Sequence, residues 1–284
     1  MHIKIYEITH TSINKASQIS SRFFDSTEWQ AVSSGSFGLL CKNFKIEVRG
    51  KDFADISVDV DESGFYSHFI GYGGPDVDYV NSDDLEEIIS ALERIINKPC
   101  KRLKLYPFVK VGHYSQSSFI QKTTSVLHLT NLSFKKEVLY EIRKAQSRAV
   151  SVRKLSSKED IKDFYKIYNE TAERVGSDYR TPISVFHTIS QIEGSFILGA
   201  FKEGRLIAGS VFLCSVEWSY FWWNASNTEG RSLSANYLVM SEAIAILQRQ
   251  GVFFLDMASS HSPAIRRFKT LWGAKEMAYF EYSK

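Results

Sequence analysis

A polar, glycine-containing loop in the C-terminal part of the chain has the composition of a phosphate-binding segment. The loop runs from Asn227 to Ser234 and precedes a helix-like segment, Ala235–Arg249. The first turn of a helix has backbone N–H groups without partners, and the helix dipole adds partial positive charge, so phosphate or pyrophosphate can bind there. The same composition also suits an ordinary loop that caps a buried helix, and the loop alone does not decide between them.

Two side chains that follow this helix could do acid–base chemistry. Asp256 lies in a strand-like run, Val252–Met257, at whose end a carboxylate would face a cleft and accept or orient the proton of an ammonium group. His261 lies in the next loop and has an intrinsic pKa suited to a general base. Alternatively, Asp256 caps the loop after the strand, and His261 is an exposed loop histidine.

Cations near the C-terminus could bind a phosphate-bearing ligand. A second helix is predicted from Pro263 to near Gly273, and it carries Arg266, Arg267 and Lys269. These side chains could clamp the phosphate of an acceptor, or they could simply face water.

Composition and charge exclude several classes of protein. The chain has 284 residues, of which 44% are hydrophobic and 24% are charged, as in soluble globular proteins. Its net charge of +3 is too small to indicate binding to DNA or to a membrane surface. No apolar run approaches the roughly 18–20 residues of a spanning helix, and Met1–Tyr6 alternates like a strand rather than a signal peptide. We therefore expect a cytoplasmic protein without a transmembrane segment.

Cysteine and histidine usage indicates neither a metal site nor a covalent nucleophile. Cys41, Cys100 and Cys214 are scattered, so they form no disulfide framework and no metal-ligand cluster. The seven histidines are dispersed, and the sequence lacks both a His-Glu-x-x-His motif and a Gly-x-Ser-x-Gly motif. We expect no metal cofactor and no covalent intermediate.

The elements that position these groups are readable from the hydrophobic pattern. Three apolar runs that end in turns predict strands before the polar loop: Ser195–Phe201, Leu206–Cys214 and Trp218–Ala225. The C-terminal order is therefore strand, strand, strand, loop, helix, strand, helix, strand.

The preceding chain also mixes strands and helices. We predict turn chemistry over Trp29–Gly38 and a hairpin whose strands, Phe37–Cys41 and Phe44–Val48, join around Lys42 and Asn43. Thr181 is predicted as a helix N-cap with Pro182 at the first helical position. Helical spacing predicts three further helices, over Ser82–Lys98, Phe134–Arg148 and Lys158–Val175. The fold class is α/β, of the mixed α+β kind.

The C-terminal order of elements resembles the catalytic core of GNAT acyltransferases, and more closely the FemAB-like branch of that superfamily. Two stretches before it also match FemAB-like patterns, namely Ile142-Arg143-Lys144-Ala145 and the ending Thr171–Gly176 of a helix. The C-terminal residues that carry the resemblance are Gly204, Ala208-Gly209, Asn224-Ala225-Ser226, Arg231, Gly251, Asp256, Arg267-Phe268-Lys269 and Trp272-Gly273-Ala274.

The resemblance implies two GNAT-like halves, each a mixed, mostly antiparallel sheet flanked by helices. Residues 1–133 would be a degenerate N-terminal half, and residues 134–284 the acyltransferase half. A loop that contains Tyr72 and Gly73 would line the acceptor cleft, although its glycines and proline also fit a plain strand-to-helix turn.

The resemblance further implies an N-acyltransferase that moves an acyl group from acyl-CoA to an amine. The backbone near Trp223–Ala225, with Asn224, would polarise the carbonyl group. Tyr237 or Lys269 would protonate the leaving thiolate, because Phe268 stands where many GNAT enzymes have a tyrosine. The carrier would be bound by Ala225, Arg231, Ser232, Ser234 and Asn236.

The acceptor implied by the family is a small-molecule, nucleotide-linked or lipid-linked amine, such as an amino sugar of a cell-envelope polysaccharide precursor. One alternative is an aminoacyl-tRNA-dependent aminoacyltransferase of cell-wall synthesis, with the basic helix Phe134–Arg148 on the RNA. It is disfavoured because the sequence has no long charged helical arm. A second alternative is a non-catalytic GNAT-like binding module.

Overall fold

The computed structural model describes residues 3–8, 23–70, 82–105, 119–132, 134–260 and 262–283. The chain divides into two compact units. Unit 1 comprises Met1–Thr124 and Met277–Lys284, and unit 2 comprises Ser125–Glu276. Both units are mixed α/β, in agreement with the predicted fold class.

Unit 1 is a sheet with a helix packed on it. Its strands follow the order β1-β2-β3-β4-β5-β12-β6, antiparallel from β1 to β4 and parallel between β4 and β5. Leu85, Ile88 and Leu92 of α2 are buried against the strands, which confirms the predicted helical face. The described elements are β1 (Ile3–Ile8), α1 (Thr27–Phe37), β2 (Leu40–Val48), β3 (Lys51–Val60), β4 (Phe65–Ile70), α2 (Ser82–Ile96), β5 (Cys100–Leu105), β6 (Phe119–His128) and β12 (Lys275–Ser283).

Two local predictions in unit 1 are wrong. The Ser/Gly-rich segment is helix α1, because the Ser26 side chain caps its start and Gly38, with φ 69°, ends it. The predicted hairpin around Lys42-Asn43 is one continuous strand, β2, and the chain turns instead at Arg49-Gly50. Asn43 is tolerated inside the strand because its buried Oδ1 accepts hydrogen bonds from Gln30 Nε2 and Ser57 Oγ.

Unit 2 has the predicted C-terminal order of elements. Its strands follow the order β6-β11-β10-β9-β8-β7, antiparallel except for the parallel pair β10 and β11. The elements that lie wholly in this unit are α3 (Lys136–Ser147), β7 (Ser151–Lys154), α4 (Lys158–Arg174), α5 (Ile183–Ile189), β8 (Phe196–Lys202), β9 (Arg205–Cys214), β10 (Trp218–Ser226), α6 (Thr228–Ser232), α7 (Ala235–Arg249), β11 (Phe254–Asp256) and α8 (Pro263–Leu271).

Two separate layers of side chains hold these strands. Helices α3 and α7 share a core with the strands, in which Val138, Val239 and Phe212 are fully buried. Phe164 and Tyr168 of α4 instead pack edge-on against Phe186 of α5. The predicted cap of α5 is off by one residue: Pro182 is the N-cap, and the N–H of the buried Thr181 donates to the Tyr168 hydroxyl at 2.9 Å.

Candidate active site

Strand β10 contains a bulge in the segment that the sequence associates with carbonyl binding. Phe221 pairs with Phe212 and Trp223 pairs with Val211, so Trp222 is an extra residue on β10. A bulge turns backbone groups out of the regular ladder and re-aims side chains. Accordingly, Phe221 packs into the core shared with α7, whereas Trp223 packs edge-on against Tyr168 of α4 at 5.1 Å.

The two parallel strands of unit 2 separate at this bulge. Strand β11 pairs with β10 only over Trp218–Tyr220, and the last pair joins Tyr220 to Asp256. Strand β10 then continues for six residues to Ser226, whose edge toward β11 lies beyond that ladder. Backbone groups at such an edge can bind an extended ligand, because they are strong donors and acceptors. The fork between β10 and β11 is therefore the candidate reaction centre.

Asp256 lies at the base of this fork. Its carboxylate is buried, whereas the prediction was that it faces a cleft. The side chain is 3% exposed, and Oδ1 accepts the N–H of Ala258 at 2.7 Å. Ala258 has φ 62°, a left-handed conformation that this contact helps to hold. Asp256 thus caps the turn after β11, which is its alternative role, and its part in proton transfer stays a prediction.

Lys269 anchors the same turn from α8. Its Nζ donates to the carbonyl oxygens of Ala258 and Ser259 at 2.8 and 2.7 Å, and the residue is only 4% exposed. Burial lowers the pKa of Lys269 to about 8, although the Asp256 charge opposes this shift. The predicted phosphate clamp by Lys269 does not match this geometry, because its ammonium group binds protein carbonyls.

The polar loop before α7 is not open, since it contains the short helix α6. The Asn227 side chain caps α6 by accepting the N–H of Gly230 at 2.8 Å. Arg231 donates to the carbonyl oxygen of Ser226 at 2.6 Å and to Thr228 Oγ1 at 2.9 Å. Arg231 and Ser232 remain exposed, so these two predicted carrier-binding residues are accessible from solvent.

A glutamate side chain contacts the start of α7, where the sequence predicts that the pyrophosphate of the carrier binds. Ser234 is the N-cap with φ 58°, and its hydroxyl donates to Glu141 of α3. A second carrier-binding candidate, Asn236, has a buried Oδ1 without a hydrogen-bond partner among the described residues. The negative charge of Glu141 opposes a pyrophosphate at this helix end, although Lys144 partly compensates it at 3.8 Å. The role of Glu141 was not predicted, because nothing in a mostly basic helix marks its contact with Ser234.

Tyr237 connects α3, α7 and α8 at this point. Its ring packs against Phe268 at 5.1 Å and stacks on Trp272 at 6.1 Å. Burial raises the pKa of Tyr237, the Glu141 charge raises it further, and Arg267 opposes the shift. The phenol is therefore protonated at neutral pH and can act as a proton donor.

The remaining predicted site residues fall into two groups. Asn224 is exposed on β10, where its Oδ1 accepts a hydrogen bond from Ser210 Oγ at 3.0 Å, and Ala225 next to it is buried. Tyr72, Gly73 and His261 lie outside the described residues.

Within the described part of the chain, no group of three His, Cys, Asp or Glu side chains could hold a metal ion. The helices described there are also too short or too polar to cross a membrane.

Several solved structures share this fold. The structure described as FemX superposes over 99% of this chain and 97% of its own, at 15% identity and a TM-score of 0.66. A tandem GNAT protein from the clavulanic acid biosynthesis pathway covers 98% of both chains, at 8% identity and a TM-score of 0.57. A GCN5-related glucosamine N-acetyltransferase region of a fungal multi-domain β-N-acetylglucosaminidase covers 99% of this chain and 38% of that one, at 9% identity and a TM-score of 0.51. The chain therefore shares the fold of these structures.

The FemAB family model matches residues 115–183, a segment that includes α3 and α4. This segment contains Ile142–Ala145 and Thr171–Gly176, which carry the earlier resemblance. None of the curated proteins searched matches the chain. Over residues 115–183 the chain is similar to the FemAB family, and it shares its fold with FemX and with a tandem GNAT protein.

Proposed function

We propose that this protein is an N-acyltransferase that moves an acyl group from a coenzyme A thioester to an amine. Residues 134–284 carry the reaction, and residues 1–133 are a degenerate GNAT-like half. The observation that carries the proposal is the bulge at Trp222, beside the point where β10 and β11 separate. The reaction belongs to the cytoplasm, where coenzyme A thioesters are available.

The fork between β10 and β11 suits the polarisation of a carbonyl group. A backbone N–H of β10 near Trp223–Ala225 would donate to the carbonyl oxygen as negative charge develops on it. The amine nitrogen then attacks the carbonyl carbon, a C–N bond forms, and the C–S bond to the carrier breaks. Because the amine is the nucleophile, no covalent intermediate with a protein side chain is needed.

The acceptor nitrogen must lose two protons in this reaction, one from the ammonium group before it attacks and one as the amide forms. Asp256 at the base of the fork and His261 are the candidate bases. The leaving thiolate must gain one, and the protonated phenol of Tyr237 is the candidate donor. Phe268, which packs against this phenol, cannot donate.

The acceptor is proposed to be an amino sugar on a nucleotide or lipid carrier of cell-envelope polysaccharide synthesis. A structure with the same fold is described as a glucosamine N-acetyltransferase region, which supports an amino sugar. The exposed Asn224 amide beside the bulge could orient sugar hydroxyl groups.

An aminoacyl-tRNA donor is the second candidate, and Glu141 favours it. Since the Glu141 carboxylate lies at the start of α7, that helix end is a poor site for the pyrophosphate of coenzyme A. In this alternative, the exposed Lys136, Arg143 and Arg148 on and beside α3 would contact RNA phosphates.

A thermal-shift series tests the proposal. Acetyl-, longer acyl- and free coenzyme A are compared with uncharged tRNA, because a ligand at 100 times its Kd adds about 2.7 kcal/mol of stability. A raised melting temperature with coenzyme A compounds, followed by thiol release when an amino sugar is added, is the expected result. A raised melting temperature with tRNA alone would indicate that aminoacyl-tRNA, and not acyl-CoA, is the donor. Binding of coenzyme A without turnover, over a broad panel of amines, would make the protein a binding module.

A further inference from the structure

An open cavity of about 480 Å³ lies on unit 2 beside α8 and the start of α3. Among the described residues, its charged lining consists of Lys135, Arg266 and Arg267, and none of its described lining side chains is acidic. Ser260, Ser262 and Thr270 add hydroxyl groups. Its volume falls within the usual range for small-molecule sites, roughly 300–1,000 Å³.

The backbone fixes the positions of these cations. The N–H of Lys135 donates to the carbonyl oxygen of Leu271 at 3.1 Å, which ties the start of α3 to the end of α8. Phe134 packs edge-on against Trp272 at 5.1 Å beside this contact. Arg266 and Arg267 are adjacent on α8, so the backbones of all three cationic residues belong to these two connected helix ends.

The charges in the cavity are only partly compensated. Arg266 pairs with Glu276 at 3.0 Å, and both of these side chains are exposed. Ser262 accepts the N–H of Ile265 at 3.3 Å, so its own O–H is available to a ligand at the positive end of α8. Ser260 Oγ is buried and has no hydrogen-bond partner in the part of the chain that the structure describes.

The start of α7 has a carboxylate beside it, whereas the cavity is lined by cations. There, the Ser234 hydroxyl donates to the Glu141 carboxylate, which pairs with Lys144 at 3.8 Å, so these two side chains add no net positive charge that would attract an anion. A phosphate group that approaches this surface therefore meets favourable charge beside α8 rather than at α7.

We propose that the cavity formed by Lys135, Arg266 and Arg267 binds a phosphate ester of a small-molecule substrate, in place of a pyrophosphate site at the start of α7. The proposal rests on the proposed acyl transfer, because Arg267 also acts on Tyr237, the candidate proton donor. The phosphate can belong to the acyl carrier or to a nucleotide-linked acceptor. Either phosphate can bind in the cavity, because both carry negative charge that guanidinium and ammonium groups attract.

Calorimetric titration with inorganic pyrophosphate tests the site without any need for turnover. The wild-type protein should bind one pyrophosphate, and the double variant Lys135→Gln/Arg267→Gln should bind it at least tenfold more weakly. Lys162→Gln is the matched control, because Lys162 is an exposed lysine of α4 that does not line the cavity. Circular dichroism and melting curves verify that each variant is folded.

Competition identifies the source of the phosphate. Displacement of pyrophosphate by coenzyme A assigns the site to the carrier, and displacement by UDP-glucosamine assigns it to the acceptor. The proposal is wrong if wild-type protein binds no pyrophosphate, if Lys162→Gln weakens binding as much as the double variant does, or if only RNA displaces the probe. Acyl transfer is assayed separately, so a protein that binds pyrophosphate but has no turnover would refute the function and not the site.

Discussion

Replacement of Gly230 by alanine should displace α6 from β9, and the geometry gives the size of the effect. A Cβ atom at Gly230 would lie 2.2 Å from the carbonyl oxygen of Ile207 and 3.3 Å from the Ala208 Cβ, where ordinary contacts begin at 3.4 Å. The helix must therefore move by more than 1 Å. The same Ile207 oxygen accepts the N–H of Asn227 at 3.1 Å, so the movement also breaks that hydrogen bond.

Two costs then add. Overpacking a well-filled site costs about 1–3 kcal/mol. Loss of the hydrogen bond costs about 0.5–1.5 kcal/mol more. The sum, about 1.5–4.5 kcal/mol, should lower the melting temperature by about 3–18 °C, at about 2–4 °C per kcal/mol for a domain of this size. Because Arg231 and Ser232 lie on α6, Gly230→Ala should also weaken binding of the acyl carrier.

Gly35→Ala is the matched control for this experiment. Gly35 lies in α1, and a Cβ atom there has nothing within 4 Å. The substitution should stabilise the protein by about 0.5–1 kcal/mol, because glycine is a poor helix residue. Urea unfolding of both variants gives the comparison. An equal or higher stability for Gly230→Ala than for the wild type would refute the close packing of α6 on β9.

Three further predictions concern single charged groups. Asp256→Asn should lower turnover by about 10²-fold or more if Asp256 handles the proton, with little loss of stability because asparagine Oδ1 can still accept the Ala258 N–H; wild-type turnover would remove Asp256 from the mechanism. The pKa of Lys269 is lower in the folded chain, about 8, than its ordinary 10.5. Because the unfolded chain binds this proton more tightly, the contribution of Lys269 to the free energy of unfolding should increase from about pH 8 to 10.5. Urea unfolding at several pH values should show this increase in the wild type and not in Lys269→Met. Glu141→Gln should lower the pKa of Tyr237, measured by phenolate absorbance, and tighten coenzyme A binding; an unchanged pKa would contradict the proximity of the two groups.

The hydrophobic pattern predicts the C-terminal elements well because each has a strong local signal. Strands β8, β9 and β10 are apolar runs between turns, and α8 has Pro263 in its first turn behind the Ser262 cap. The wrong predictions lie where a contact between residues distant in the sequence determines the local structure. Asn43 remains within a strand because Gln30 and Ser57 satisfy its side chain, and sequence alone does not show such partners.

The candidate site is predictable in its residue types and not in their orientation. The sequence identifies Asp256 and Lys269 but cannot show that both are buried around Ala258. The bulge at Trp222 is equally hidden, since it depends on the register between β10 and β9. Glu141 acts at the start of α7 from a helix that lies more than ninety residues earlier in the chain.

Hydrogen–deuterium exchange with a non-reactive acyl-CoA analogue, such as a ketone that replaces the thioester, tests whether the acyl carbonyl group binds at the fork between β10 and β11. We expect slower exchange of the backbone amides at Trp222–Ala225, since these lie beside the bulge that is proposed to bind the carbonyl group. Amides of Lys51–Val60 in unit 1 are the internal reference and should not change. Protection elsewhere in unit 2 with none at Trp222–Ala225, at a saturating concentration of the analogue, would contradict a reaction centre at the fork between β10 and β11.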